Sequence, residues 1–205
     1  MTILYEERSS DSPYIETITR GWTVSDGSTI RPAEINWHMV FVTHNGRVQP
    51  VFVGPLTTAG AASWEQGAEI LWIKFKLGSF MPHLPARDFL DVETNLPGAA
   101  SRSFWLKSSA WEFPNYENAD TFIDRLVHDE VLVWDPIVNA ALQDHTGFGV
   151  ALRAYAHHAG LAREKLDDVR RVLRRYQKIN VANRLPPAPQ AAAGAATDHV
   201  RMTAQ

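Results

Sequence analysis

The chain has 205 residues, 45% of them hydrophobic, with seven Trp and nine Phe, which is enough apolar material for a core of ordinary size and excludes global disorder. It contains no Cys, so disulfides, thiolate catalysis, zinc ribbons and iron–sulfur clusters are excluded. The formal charge of −3 conceals two unlike regions: residues 160–185 hold eight Lys or Arg against three Asp or Glu, a net +5, and the remainder sums to −8.

At the start, MTILYEERSSD mixes charges and lacks an apolar run, unlike a secretory signal. Tyr14 to Val24 is rich in Ile, Thr and aromatics and predicts a half-exposed strand, closed by a turn at Asp26-Gly27. In Ile35 to Thr43, Ile35, Trp37, Met39 and Phe41 fall on one face and Asn36, His38, Val40 and Val42 on the other. Asn45-Gly46 and then Val48 to Val53 follow, a strong hairpin signal. Glu69 to Leu77 reads as another strand, with Leu71, Ile73, Phe75 and Leu77 turned toward a core and Ile70, Trp72, Lys74 and Lys76 opposite.

Pro82, Pro85 and Pro97 permit only short helices in the next stretch. From Asn118 to Asp129 the apolar period changes: Ala119, Phe122, Ile123, Leu126 and Val127 mark an amphipathic helix with Asn118 at its N-cap. Asp135-Pro136 opens a second such helix through Leu142, and these two stripes predict a homodimer. The basic stretch Leu152 to Lys178 is helix-compatible, and Leu185 to Gln205 is Pro/Ala-rich with too few large apolar residues to order itself. No run reaches the roughly 18 apolar residues of a membrane helix, so the expectation is a cytoplasmic protein with no membrane partner.

Chemistry-bearing patterns are sparse. His38 and His44 share a strand face, but no carboxylate completes a ligand set by spacing, and no metal or cofactor is expected. Ser108-Ser109 lacks a Gly-x-Ser-x-Gly elbow, no phosphate-binding glycine loop occurs, and Glu65/Glu69 and Asp88/Asp91 read as solvated carboxylates. No catalytic residue is indicated. The aromatics offer more, because aromatic-lined β interiors make small-molecule pockets as well as filled cores. Trp37 and Trp72, with His38 and Phe75, form the expected ligand-binding set.

GPLTTAG, EILWIKFKLGSFMPHLPARDFLD, SRSFWLKSSAWEFPNYENADTFIDRLV and DPIVNAAL, in that order, resemble the N-terminal sensory domain of bacterial AraC-type transcriptional regulators. The resemblance spans about Tyr5 to Leu142. It implies an α+β fold in which a cupin-like antiparallel β-barrel precedes a helical segment, with a small-molecule effector bound in or near the barrel and DNA bound further on. The corresponding division is a barrel over 1–92, a helical dimerisation segment over 93–147, a basic helical segment over 148–184 and a tail over 185–205.

Family members continue through two helix-turn-helix units, whereas the stretch after Leu142 has room for one. Within it, Ala156, Gly160, Leu166 and Val169 match the spacing of such a unit, and Arg163, Lys165, Arg170 and Arg171 become the DNA-contacting residues. Asp167 and Asp168 on the same helix oppose phosphate. Two rival readings stay open: a stand-alone ligand-binding or dimerising module without DNA binding, and a metal-free cupin-type enzyme.

Overall fold

A computed structural model describes residues 3–100 and 102–134. In chain order these form β1 (Ile3–Arg8), β2 (Ile15–Thr23), β3 (Gly27–Arg31), β4 (His38–His44), β5 (Arg47–Val53), β6 (Gly60–Trp64), β7 (Glu69–Phe75), β8 (Ser79–Phe80), α1 (Ala86–Phe89), β9 (Glu93–Asn95), β10 (Ser103–Leu106), β11 (Ser109–Glu112), α2 (Ala119–His128) and β12 (Val133–Trp134). Six strands make one antiparallel sheet in the order β1-β2-β7-β4-β5-β9. Three two-stranded antiparallel pairs flank it: β3–β6, β8–β12 and β10–β11.

The predicted hairpin forms as β4–β5. His44 faces Arg47 across a turn in which Asn45 (φ 51°) and Gly46 (φ 74°) both take the left-handed conformation. That pair of angles defines the two-residue turn whose twist matches the flanking strands, and Asn-Gly tolerates it at least cost.

Residues directly opposed in an antiparallel register share a face. Ile18, Ile73, Met39 and Phe52 are linked in this way across four strands, and none has measurable exposure. This is the core face. The β10–β11 hairpin and α2 cover it, with the Phe41 ring 5.6 Å from Phe104 and 6.0 Å from Phe122. The α2 stripe of Ala119, Phe122, Ile123 and Leu126 is buried there, so the face expected to meet a second copy is occupied by the chain's own core. Asn118 does sit at the N-cap position, yet its side-chain oxygen accepts from the Asn115 amide while the Asn115 oxygen accepts from the Asn118 amide. The reciprocal pair fixes the entry turn and leaves the helix's first amides uncapped by a side chain. Ion pairs from Arg8 to Asp120 and from Arg20 to Glu117 tie the beginning of α2 to β1 and β2.

Two expectations are corrected. The described strands do not close into a barrel: β1 and β9 remain as edges. β1 carries Glu6, Glu7 and Arg8 and β9 is three residues long, features that blunt an edge against further pairing. The region from 93 onward is also not helical at first, since β9, β10 and β11 precede α2. Predominantly antiparallel β with one helix of more than a turn among the described residues is the observed class. The second helix at Asp135 to Leu142 and the basic segment lie outside the described residues, and no described helix is long and apolar enough to cross a membrane.

Candidate functional site

The second face of the sheet carries His38, Val40, Val42 and His44 from β4 and Ile70, Trp72 and Lys74 from β7. Register places Val42 opposite Ile70, Val40 opposite Trp72 and His38 opposite Lys74, and these apolar residues are half-buried where their core-face neighbours are sealed. The β3–β6 ribbon is joined to this face at two ends: Arg31 pairs with Glu93, which lies opposite Val53, and His44 lies 3.4 Å from Glu65 just beyond β6.

One end of the face holds a connected polar network. In β2 the register shifts between Ile15 and Thr17, and this bulge re-aims Glu16 toward Lys74. The Lys74 ammonium lies 2.9 Å from Glu16 and also pairs with Glu34. The buried Asn36 amide donates to Glu16 at 2.9 Å and to the Phe75 carbonyl at 2.7 Å, while its own oxygen is buried without a partner. The Trp72 indole N–H donates to Nδ1 of His38 at 2.7 Å. Because an indole nitrogen only donates, Nδ1 is the accepting nitrogen, and the Nε2 proton faces Glu34 at 3.4 Å.

The electrostatics follow from this wiring. Burial raises the Glu34 carboxyl, but the hydrogen bond from His38 and the charge of Lys74 outweigh it and hold the group at about 2. For Lys74, burial lowers the ammonium, and the charges of Glu16 and Glu34 more than reverse it, so its pKa is raised. Both groups are moved away from neutrality. At neutral pH they are fixed charges rather than proton carriers, since acid–base work favours a pKa near the working pH.

At the opposite end of the face an open cleft of about 470 Å³ is lined by Val42, His44, Asn45, Arg47 and Gln49 around the β4–β5 turn.

The four residues expected to bind ligand therefore divide. Trp72 and His38 meet on the second face and are hydrogen-bonded to each other. Trp37 and Phe75 belong to the core side: Trp37 stacks on Phe52 at 4.8 Å and leans on Phe89, and Phe75 has no exposure. Both belong to the hydrophobic core cluster. Glu16, Glu34, Asn36 and Lys74 were not indicated by the sequence. Lys74 shares the Trp72 face by alternation and Glu34 precedes His38 by four residues, but only the strand register shows that they meet. Arg163, Lys165, Arg170 and Arg171 lie outside the described residues. Among the described residues no group of three or more His, Cys, Asp or Glu is placed to hold a metal ion.

No family model, no curated protein and no solved structure matches the chain.

Proposed function

We propose that the described residues are the small-molecule-sensing part of a transcriptional regulator of AraC type, with the effector lying on the second face of the six-stranded sheet and DNA contacted by the basic segment through Arg163, Lys165, Arg170 and Arg171. The observation that carries the sensing half is the Glu34–Lys74–His38–Trp72 network. It sets fixed charges and an oriented indole beside half-buried Val40, Val42 and Ile70, the mixture of apolar surface and a few convergent polar groups that small-molecule sites use. Glu34 is held at about 2 and the Lys74 pKa is raised, both moved away from neutrality, which favours recognition over catalysis. The DNA-binding half rests on the net +5 of residues 160–185.

The test is a salt titration of duplex-DNA binding by the intact chain and by a version ending at Gln143. Phosphate contacts release counterions, so the intact chain binds with an affinity that falls steeply as salt rises, and the shortened chain does not. Equal behaviour of the two chains removes the regulator and leaves a stand-alone binding module.

A further inference from the structure

The cleft around the β4–β5 turn takes no part in the network at the far end of the same face. We infer that it receives the carboxylate of a small organic monoacid whose apolar body extends along the second face toward Trp72; this rests on the reading of that face as an effector site.

Size and charge both point there. At about 470 Å³ the cleft falls within the range of small-molecule sites. Among its lining residues Arg47 is exposed and makes no ion pair with any described residue, whereas Arg8, Arg20 and Arg31 are each paired with a carboxylate. A guanidinium is always charged, and its planar fork matches a carboxylate. His44, directly opposite Arg47 in register, brings a second donor to the same side. The only described carboxylate against it, Glu65, stands at 3.4 Å with 79% of its side chain exposed, a contact weak enough for an incoming anion to displace. The Gln49 side chain is held in place by donating to Asn95. The Asn45-Gly46 turn gives this group its shape by lifting His44 and Arg47 side by side.

The rest of the face defines the body of the ligand. From the cleft, Val42 beside Ile70 and then Val40 beside Trp72 form a half-buried apolar track. His44 to Val40 is four residues, roughly 13 Å at about 3.3 Å per residue, the length of a phenylalkanoate or a medium-chain alkanoate. Beyond Trp72 the track ends at Glu34 and Glu16 with Lys74 paired to both, two carboxylates to one ammonium, a balance that disfavours a second anionic group. One anionic end and one uncharged end is the pattern that both termini accept.

The experiment uses the intact chain with 4-phenylbutyrate, its uncharged amide, inorganic phosphate, and the alkanoates from hexanoate to decanoate, read by tryptophan fluorescence and thermal shift. The expected result is saturable binding of at least one of the acids, with the matching amide and phosphate at least about tenfold weaker, and loss of at least about tenfold in acid affinity for Arg47→Gln with partial recovery in Arg47→Lys. Arg47→Gln is exposed and leaves the unliganded thermal midpoint in place, so a loss of binding is not a loss of fold. Equal binding of acid and amide, unchanged acid affinity in Arg47→Gln, or no binding by any acid of the series overturns the inference. A neutral compound that binds through Trp72 while every acid fails removes the anion and keeps the effector face. Arg47-dependent acid binding by a chain that treats DNA alike with and without its basic segment keeps the cleft and removes the regulator.

Discussion

The two faces of the six-stranded sheet come from the same strands and alternate residue by residue, yet they solve opposite problems. On one, Ile18, Met39, Phe52 and Ile73 are sealed, and the Phe41 ring meets Phe104 of β10 and Phe122 of α2 at 5.6 and 6.0 Å. On the other, charge, indole and imidazole are wired into one another and Val40, Val42, Ile70 and Trp72 stop at half-burial. The difference teaches that the stability of this fold and the effector recognition proposed for it fall to residues one position apart. Substitutions at adjacent positions therefore separate the two.

The largest effect is expected at Phe41, whose ring meets Phe104, Phe113 and Phe122. Phe41→Ala should lower stability by about 3–5 kcal/mol, while Val40→Ala, one residue along and half-buried, should cost about 1 kcal/mol; urea unfolding of both checks the contrast, and equal losses would erase it.

Next comes Glu34. Its folded pKa of about 2 lies below the ordinary 4.5, so its stabilisation is fully present above about pH 4.5 and disappears as pH falls toward 2. Glu34→Gln should cost on the order of 2–3 kcal/mol at neutral pH and flatten the stability profile across that acid window; a profile unchanged in slope would show that the network does not hold the carboxyl.

A smaller loss, about 1–2 kcal/mol, is expected for Trp72→Phe, which keeps an aromatic ring in place and leaves Nδ1 of the buried His38 without a donor. The imidazole resonances of His38, followed by NMR, should shift in this variant and stay in place in Trp105→Phe, an exposed tryptophan elsewhere. The smallest effect belongs to the turn: Gly46→Ala places a side chain at φ 74° and should cost about 1 kcal/mol, seen as a modest fall in thermal midpoint.

Much of this contrast is legible in the sequence. Alternation in Ile35 to Thr43 and in Glu69 to Leu77 sorts these residues into the two faces that the strand register shows, and Asn45-Gly46 locates the turn between β4 and β5. The register sets Trp37 and Trp72 on opposite faces of the sheet, so the ligand-binding set expected from the sequence is divided between them. Register is what alternation cannot supply. Nothing local in Glu16, Glu34 or Lys74 indicates that a bulge in β2 and the insertion of β7 between β2 and β4 will gather them. The β3–β6 ribbon is hidden for another reason: Gly27–Arg31 and Gly60–Trp64 are built mainly from small and polar residues, and their pairing depends on chain distant in sequence.

The position of β7 has a kinetic consequence. Ile73 pairs with Ile18 on one side and Met39 on the other, although it follows both in the chain. The β1–β2 and β4–β5 ribbons have short connections and can nucleate on their own, but each is only a two-stranded sheet, marginal in isolation. Until residues 69–75 arrive to zip them together, a chain emerging from the ribosome holds two half-sheets with no middle. Closing long loops is entropically slow, so the interval before β7 arrives is the one in which the edges of both ribbons stand unpaired.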